Sequence, residues 1–248
     1  MTMHPKLARA FAEKNALKVI SGLNNFNQAH VAAVVKAAEA GGATFVDIAA
    51  SPALVANIRN LTNLPICVSA VEPKLFVSAI EAGADLIEIG NFDSFYTQGR
   101  RFEAPEVLAL TQATRSLLPE VTLSVTVPHI LPLDEQVQLA EALVKEGANI
   151  IQTEGGTSIN PVHPGIRGLI EKAAATLAAA HSISNAIDVP VLCASGLSNV
   201  TIPMAIASGA SGVGVGSAIN QLDNEVAMLA QVRSLVEALA NHSTQIQV

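Results

Sequence analysis

The sequence predicts an α/β fold in which eight strand–helix units close into a single (β/α)8 barrel, and three observations lead to it. Short apolar segments alternate with segments of helical periodicity along all 248 residues, which indicates a parallel sheet covered by helices. Even-numbered strands follow a glycine–alanine turn, as in EAGADLIEIGN from Glu81, whereas later odd-numbered strands follow proline, as in Pro65 before ICVSAV. The length also suits one barrel of roughly 250 residues. An open doubly wound sheet is the weaker alternative.

The elements are expected in the following order. Residues 1–15 form an N-terminal helix or arm over the bottom of the barrel, and the first strand runs from Leu17 to Leu23. The later strands lie in the glycine–alanine segments that begin at Glu39, Glu81, Lys145 and Ala207, and after Pro65, Pro119 and Pro190. Helical periodicity predicts helices near residues 27–40, 52–61, 73–82, 105–117, 134–146, 168–186, 199–208 and 222–240. Residues 1–248 therefore form one domain.

Composition excludes several classes of protein. Hydrophobic residues make up 50% of the chain and charged residues 14%, which excludes a disordered protein. The net charge of -7, with no run of lysine or arginine, argues against a nucleic-acid partner. The chain lacks an apolar signal region and any membrane span of about 20 apolar residues, so a cytoplasmic location is predicted. Cys67 and Cys193 are expected in the core, and their spacing predicts no metal site.

The segment from Val191 to Ile219 reads as a strand, a helix of about ten residues and a second strand. Glycines at both strand ends would let backbone amides approach an anion. The segment resembles the seventh and eighth units of the phosphate-site TIM barrels, which include indole-glycerol-phosphate synthase, thiazole synthase and several flavoenzymes. The resemblance implies phosphate contacts by Gly196, Leu197 and Ser198 and by Gly216, Ser217 and Ala218. The alternative is that the glycines only permit tight turns and close helix packing.

Polar residues within the apolar strands are expected to point into the barrel, because strand side chains alternate. They are Lys18, Asp47, Glu88, Ser124, Thr126, Gln152 and Glu154, with Glu72 and His129 at the rim. A buried lysine needs a carboxylate partner, so Lys18 must pair with Asp47, Glu88 or Glu154. Either Lys18 is a Schiff-base nucleophile beside a proton-transferring carboxylate, or these groups form a neutralised structural layer.

Two predicted loops at the barrel mouth exceed the usual length of about 2–6 residues. The first, residues 91–104, concentrates aromatic side chains in a chain with few of them, and the second is residues 155–167. Each is a lid or binding-loop candidate; the first loop could instead pack the barrel top or contact another subunit. His129 and His163 are candidate rim histidines, and His129 is the candidate proton shuttle. Predicted substrate contacts are Asn24, Glu72, Asn91 and Gln152; Asn24 and Asn25 could instead cap the following helix.

The chain also resembles, over nearly its whole length, an uncharacterised open-reading-frame family shared by cyanobacteria and plastid genomes. The segments ISGLNNF, GNFDSFY and GTSINP carry this resemblance. It implies a phosphate-site TIM barrel in the cytoplasm or, for a plastid homologue, in the stroma. It implies no particular reaction, and fold analogy does not supply one.

Three functions fit these observations. The first is an enzyme of the lyase, isomerase or synthase type acting on a small phosphorylated metabolite, with Lys18, Asp47, Glu88, Glu154 and His129 as candidate catalytic residues. The second is an oxidoreductase that binds the phosphate of FMN in the same loops; against it, no basic residue is obviously placed for the flavin ring, and Lys18 is the candidate for that role. The third is a barrel that binds a phosphorylated metabolite without catalysis. A homo-oligomer is compatible with all three.

Overall fold

The computed structural model, described over residues 3–96, 98–156 and 160–245, is a closed barrel of eight parallel strands in sequential order. The strands are β1 (Ala16–Gly22), β2 (Phe45–Ala49), β3 (Ile66–Ala70), β4 (Leu86–Ile89), β5 (Thr122–Thr126), β6 (Ile150–Gln152), β7 (Val191–Ala194) and β8 (Gly212–Val215). Strand β1 pairs with β2 on one side and with β8 on the other, which closes the barrel. The predicted fold class is confirmed.

Helices surround the barrel and lie at both of its ends. They are α1 (Pro5–Ala12), α2 (Gln28–Gly41), α3 (Pro52–Arg59), α4 (Pro73–Glu81), α5 (Asp93–Tyr96), α6 (Ala104–Leu117), α7 (Leu133–Lys145), α8 (Gly165–Ser184), α9 (Ile202–Ala207), α10 (Ser217–Asn220) and α11 (Glu225–Gln245). Proline lies in the first turn of α3, α4, α6 and α9, where its missing amide proton costs no helical hydrogen bond. None of the helices in the described ranges is long and apolar enough to cross a membrane.

Three local expectations were wrong. The helix after β7 has six residues rather than about ten, because the chain first forms a turn in which Thr201 and Ile202 donate to the carbonyl of Ser198. The four-residue helices α5 and α10 were not predicted, since so short a segment shows no periodicity. The cap of α2 is Asn27, whose side chain accepts from the amide of His30, and not Asn24 or Asn25.

Two apolar layers hold the barrel. The larger lies between the strands and the surrounding helices. The smaller fills the bottom of the barrel, where Leu7 and Phe11 of α1 pack against strand residues such as Phe45. The rings of Phe11 and Phe45 meet edge to face at 6.2 Å. Helix α1 therefore closes the lower end of the barrel, and any ligand must enter from the opposite end.

Candidate active site

The candidate site is a cavity of about 670 Å³ at the carboxyl ends of the strands, a volume within the range of small-molecule sites. The loops after β1, β4, β6, β7 and β8 line it, through residues that include Asn24, Asn91, Asp93, Gln152, Glu154, Ser195, Gly196, Leu197, Gly216 and Ser217. A second depression of about 830 Å³ lies at the other end, between α1, α2 and α11. That end of a (β/α)8 barrel is the structural one, so the cavity at the mouth is the better candidate.

The loop after β7 contributes Gly196 and Leu197 to the cavity wall. Gly196 has a φ of +71°, and a Cβ there would lie 2.5 Å from the carbonyl oxygen of Lys172 in α8, so only glycine fits this position. Ser198 is not part of the lining, and its amide donates to Thr201 Oγ1 at 2.9 Å. The structure therefore offers Gly196 and Leu197, but not the Ser198 amide, to a ligand.

The loop after β8 contributes Gly216 and Ser217. Ser217 and Ala218 open helix α10, where amide groups have no acceptor within the helix. Asn220 at the end of α10 holds this turn, because its Nδ2 donates to the carbonyls of Ile20 at 2.6 Å and Gly216 at 3.0 Å. The first-turn amides of α10 thus lie at the cavity in a fixed orientation.

Beside the loop after β7 lies a group of four residues joined by hydrogen bonds and close polar contacts, which we call the Glu154 cluster: Asp93, Tyr96, His129 and Glu154. The Glu154 carboxylate accepts from the Asp93 amide and the Tyr96 hydroxyl, both at 2.9 Å. Its Oε2 also lies 3.0 Å from His129 Nδ1, which is 3.4 Å from Asp93 Oδ1. Glu154 is buried, and both carboxylates line the cavity.

Charge distribution within the Glu154 cluster favours a protonated histidine. Burial lowers the pKa of His129, but the hydrogen bond and negative charge of Glu154, together with Asp93, outweigh it, so the pKa of His129 lies above its ordinary value. Burial and the Glu154 carboxylate raise the pKa of Tyr96, which keeps the phenol protonated as a donor. The cluster therefore combines a phenol donor and a histidine of raised pKa with two carboxyl side chains.

The long loop after β4 positions two members of the Glu154 cluster. The rings of Phe92 and Phe102 stack at 4.4 Å, and both side chains are fully buried. The Arg100 guanidinium lies over the Phe102 ring at 4.4 Å and pairs with Glu106 at 2.9 Å. This aromatic packing anchors the loop that carries Asp93 and Tyr96, while movement of the loop as a lid stays a prediction.

The same cluster has the composition of a cation site. One ligand atom each from Asp93, His129 and Glu154 lies within 4.8 Å of the others, and carboxylate oxygen with imidazole nitrogen suits several divalent metals. A metal at His129 Nδ1 would have to displace the proton that the two carboxylates favour there. Sequence spacing could not reveal this grouping, because the three residues follow three different strands.

Beneath the cavity lies a polar layer in which Lys18 pairs with Glu88. Lys18 Nζ is 2.6 Å from Glu88 Oε2, and both side chains are fully buried. Glu88 also accepts from Ser124 Oγ at 2.8 Å, while Asp47 accepts from Ser69 Oγ at 2.5 Å. Among the three partners that the sequence allowed for Lys18, the structure selects Glu88.

The ammonium group of Lys18 is charged in this layer. Burial alone would lower the pKa of Lys18. The negative charges of Glu88 and Asp47 together raise it by more than this, so the pKa lies above its ordinary value. Lys18, Asp47 and Glu88 are fully buried and do not line the cavity. A nucleophilic lysine must be deprotonated and reach its substrate. In this structure Lys18 meets neither requirement, and its arrangement is that of a structural ion pair.

Asn91 and Gln152 connect the polar layer to the cavity. Asn91 lines the cavity with φ +59° and donates from Nδ2 to Asp47 Oδ2 at 3.2 Å. Gln152 also lines the cavity and donates from Nε2 to Glu88 Oε1 at 2.9 Å. Both predicted substrate contacts therefore lie at the cavity, each held from below by a buried carboxylate.

The remaining predicted site residues are distributed as follows. Asn24 lines the cavity. Glu72 is exposed at the start of α4 and is not among the lining residues. His163 pairs with Glu171 at 2.5 Å, also away from the lining. Residues 157–159 of the second long loop, which carry part of the GTSINP segment, lie outside the described residues.

Sequence reasoning missed Asp93, Tyr96 as a cluster member, and Ser195. Ser195 follows β7 with φ +80°, and its hydroxyl donates to Asp93 Oδ2 at 3.4 Å. A left-handed backbone at a non-glycine residue costs about 1–3 kcal/mol and occurs preferentially at functional sites. The residue type serine does not indicate a positive φ, so the sequence contains no sign of this conformation. A carboxylate inside the aromatic loop was the available signal for Asp93.

Asp47 should make the stability of the barrel pH-dependent. Burial raises the pKa of Asp47 to about 6, with Lys18 opposing and Glu88 adding to the shift. Because the folded pKa exceeds the unfolded one, this group stabilises fully below about pH 4 and loses its contribution as pH rises through 6. We expect about 3 kcal/mol of unfolding free energy to be lost over this range.

Urea denaturation from pH 4 to pH 8 measures this contribution. Asp47→Asn should reduce the slope by this amount and leave the part contributed by His129, whose pKa is also raised, whereas Asp134→Asn, at an exposed position in the first turn of α7, should leave the wild-type slope unchanged. Parallel stability curves for wild type and Asp47→Asn would show that Asp47 is ionised with its ordinary pKa in the folded state.

A family model described as "Protein of unknown function (DUF561)" matches residues 3–245 of this chain. The chain belongs to the DUF561 family. The ycf23 protein of Cyanophora paradoxa is 45% identical over 244 residues, which cover 98% of this chain and 99% of that protein. The resemblance to the cyanobacterial and plastid family is confirmed. A cytoplasmic or stromal location and a homo-oligomer stay predictions.

Solved structures with the same barrel are more distant from this DUF561 chain. A geranylgeranylglyceryl phosphate synthase from Thermoplasma acidophilum, in complex with sn-glycerol-1-phosphate, has a TM-score of 0.64 at 15% identity and covers 97% of this chain and 100% of its own. Thiamine phosphate pyrophosphorylase from Pyrococcus furiosus has a TM-score of 0.61 at 16% identity, with 93% and 98% coverage. At these identities the similarity establishes the fold alone, and function must be inferred from the residues of the site.

Proposed function

We propose that the protein is an enzyme that binds a small phosphorylated metabolite at the barrel mouth and transfers protons on it. One observation carries the proposal: Asp93 and Glu154, which both contact His129, line the same cavity as the amide-rich loops after β7 and β8. Two solved structures that share the fold are named for phosphorylated compounds, which is compatible with the proposal. The reaction class is that of a lyase, isomerase or synthase.

The phosphate would lie against the loops after β7 and β8. Gly196 and Leu197 on one side and Ser217 and Ala218 on the other would supply backbone amide donors to the phosphate oxygens. The phosphate then anchors one end of the metabolite and leaves its carbon chain beside Glu154. Binding energy from this anchor holds the reacting carbon in place.

The Glu154 cluster would carry out the proton transfers. A carboxylate of Glu154 or Asp93 takes a proton from a carbon or hydroxyl of the metabolite and returns it to the oxygen on which charge develops, while His129, which contacts both carboxylates but does not line the cavity, exchanges protons with them. Tyr96 holds the Glu154 carboxylate in place from its other side. In this scheme Lys18, Asp47 and Glu88 act as the supporting layer beneath the reacting groups and do not themselves react.

The FMN alternative receives no support from Lys18. The sequence offered no obvious basic residue for a flavin ring apart from Lys18 as a candidate, and the ammonium group of Lys18 is buried against Glu88 and does not line the cavity. A colourless purified protein that remains colourless after incubation with FMN and desalting would count against the FMN alternative. The non-catalytic alternative uses the same phosphate contacts. It differs from the enzyme in forming no product from the bound metabolite.

Binding of phosphorylated metabolites tests the proposal directly. We expect Ser217→Asp to weaken binding of a phosphorylated metabolite by at least about tenfold, since it places a carboxylate next to the phosphate. Titration calorimetry with a panel of three- to six-carbon sugar phosphates, followed by ³¹P NMR for product, measures binding and turnover. Asn199→Asp is the charge-matched control, because Asn199 is exposed and is not part of the lining.

Three outcomes separate the functions. Binding that Ser217→Asp weakens and Asn199→Asp preserves, together with product, supports the enzyme. The same binding pattern without product across the panel supports the non-catalytic alternative. Equal effects of both substitutions would reject the phosphate site at α10.

A further inference from the structure

Gln152 carries an unpaired acceptor at the bottom of the cavity. Its side chain is 3% exposed and lines the cavity. No hydrogen-bond donor of the described residues reaches its Oε1 atom. Buried polar atoms are rarely left without a partner, and for an atom whose side chain lines a cavity a bound molecule is one source of the missing donor.

The orientation of the Gln152 amide is determined by its neighbours. The Nε2 atom donates to Glu88 Oε1 at 2.9 Å and to Thr126 Oγ1 at 3.0 Å. Glu88 already accepts from Lys18, and an ionised carboxylate can only accept. Rotating the amide by 180° would place an oxygen against the Glu88 carboxylate. The Oε1 atom must therefore be the one left without a donor.

Thr126 supplies a second group at the same place. Its hydroxyl oxygen accepts from Gln152, its side chain is buried, and it also lines the cavity. Among the described residues, nothing accepts the proton of this hydroxyl. Glycine at position 90 leaves room for the Thr126 side chain, since a Cβ atom there would overlap Thr126 Oγ1. The unpaired acceptor Oε1 of Gln152 and the hydroxyl donor of Thr126 therefore belong to neighbouring side chains.

We propose that Gln152 and Thr126 form a hydroxyl-binding subsite, so that the phosphorylated metabolite of this protein is a polyol or sugar phosphate with a hydroxyl group at the end away from the phosphate. A hydroxyl group donates one hydrogen bond and accepts others, and it complements both side chains at once. A carboxylate cannot satisfy Gln152 Oε1, because it has no proton to donate. This inference rests on the proposed function and names its substrate class.

The spacing of the subsite from the phosphate loops agrees with a short ligand. A Cβ at Gly214 of β8 would lie 3.6 Å from Gln152 Oε1. Gly216 directly follows β8, two residues after Gly214. Two residues of extended chain correspond to a rise of roughly 7 Å between these glycines. The hydroxyl subsite therefore lies about one such step beneath the phosphate loops, within reach of a short phosphorylated carbon chain.

Matched pairs of ligands test the subsite on the wild-type protein. Glycerol 3-phosphate, erythritol 4-phosphate and ribitol 5-phosphate are each compared by titration calorimetry with the alkyl phosphate of the same chain length, and inorganic phosphate is included. We expect at least one polyol phosphate to bind about 10- to 100-fold more tightly than its alkyl counterpart. Gln152→Met and Thr126→Val should bring this ratio towards one without weakening the alkyl phosphate, whereas Gln112→Met, at an exposed position of α6, should preserve it.

Each result has a defined meaning. Equal affinity for all polyol and alkyl pairs in the wild-type protein would overturn the hydroxyl subsite while leaving the phosphate site intact. A preference that survives both Gln152→Met and Thr126→Val, in proteins shown to be folded by circular dichroism, would overturn the assignment to these residues. Failure of every phosphorylated compound to bind would overturn the proposed function itself, and the inference with it.

Discussion

Lys18→Met is expected to lower the free energy of unfolding by about 3–5 kcal/mol, the cost of breaking a buried ion pair from one side. Lys18 is the cation of a fully buried pair with Glu88, at 2.6 Å. Its removal leaves the negative charges of Glu88 and Asp47 in the barrel interior with no neutralising group beside them. Urea denaturation followed by circular dichroism measures the loss.

A double variant separates the loss of charge balance from the loss of packing. Lys18→Met combined with Glu88→Gln removes both charges, and the carbonyl oxygen of the introduced amide could still accept from Ser124 or Gln152. We expect the double variant to recover a large part of the lost stability, since a pair of neutral groups avoids the buried unpaired charge. If the double variant loses as much stability as Lys18→Met and Glu88→Gln together, the two residues act independently and the ion-pair interpretation is contradicted.

A surface ion pair provides the control for this experiment. Arg9 and Glu13 pair at 2.8 Å on α1 with both side chains well exposed to solvent. Exposed pairs are screened and contribute little, so Arg9→Met should leave the unfolding midpoint unchanged. A comparable loss in Arg9→Met and Lys18→Met would mean that removal of charge alone, independent of burial, destabilises the protein.

Glu154→Gln is expected to reduce turnover of a phosphorylated substrate by about 10²- to 10⁴-fold, the usual contribution of a general acid or base. Glutamine preserves the shape of the side chain but cannot accept a proton in the reaction. The substitution also removes the charge that holds the pKa of His129 above its ordinary value. The pKa of His129 should therefore fall in the variant.

Two measurements make this prediction independent of any one substrate. Turnover is followed on the first phosphorylated compound found to react, and the pKa of His129 is obtained by NMR titration of the imidazole, assigned with His129→Asn. Glu171→Gln is the matched control, because Glu171 pairs with His163 away from the cavity. Unchanged turnover in Glu154→Gln, with a lowered pKa of His129, would remove Glu154 from the reaction and leave the cluster a structural role.

Several features of the site were accessible from sequence because they depend on local periodicity. Alternation along the strands identified Lys18, Asp47, Glu88 and Gln152 as interior residues, and all four are buried. The glycine-rich strand ends identified Gly196 and Gly216, and both line the cavity. In each case the signal is local, since strand alternation and glycine at a strand end can be recognised from neighbours in sequence.

Other features could not be predicted, because they join residues from distant units. Ser198 is a local exception: it matched the phosphate motif, but its amide donates to Thr201 Oγ1 three residues further along the chain, a turn that the motif does not reveal. Asp93 and His129 meet because the loops after β4 and β5 converge on the Glu154 carboxylate. No spacing along the chain encodes that convergence.

The sequence by itself determined the closed eight-unit barrel, its charged interior and the position of the amide-rich loops, since period-two alternation and turn residues act within short segments. Only the tertiary structure decided which charges meet. Lys18 could have paired with three carboxylates, and barrel closure places Glu88 against it while Glu154 turns to His129. The choice depends on strand register across the barrel, a long-range quantity, and it separates a supporting ion pair from the groups available for chemistry.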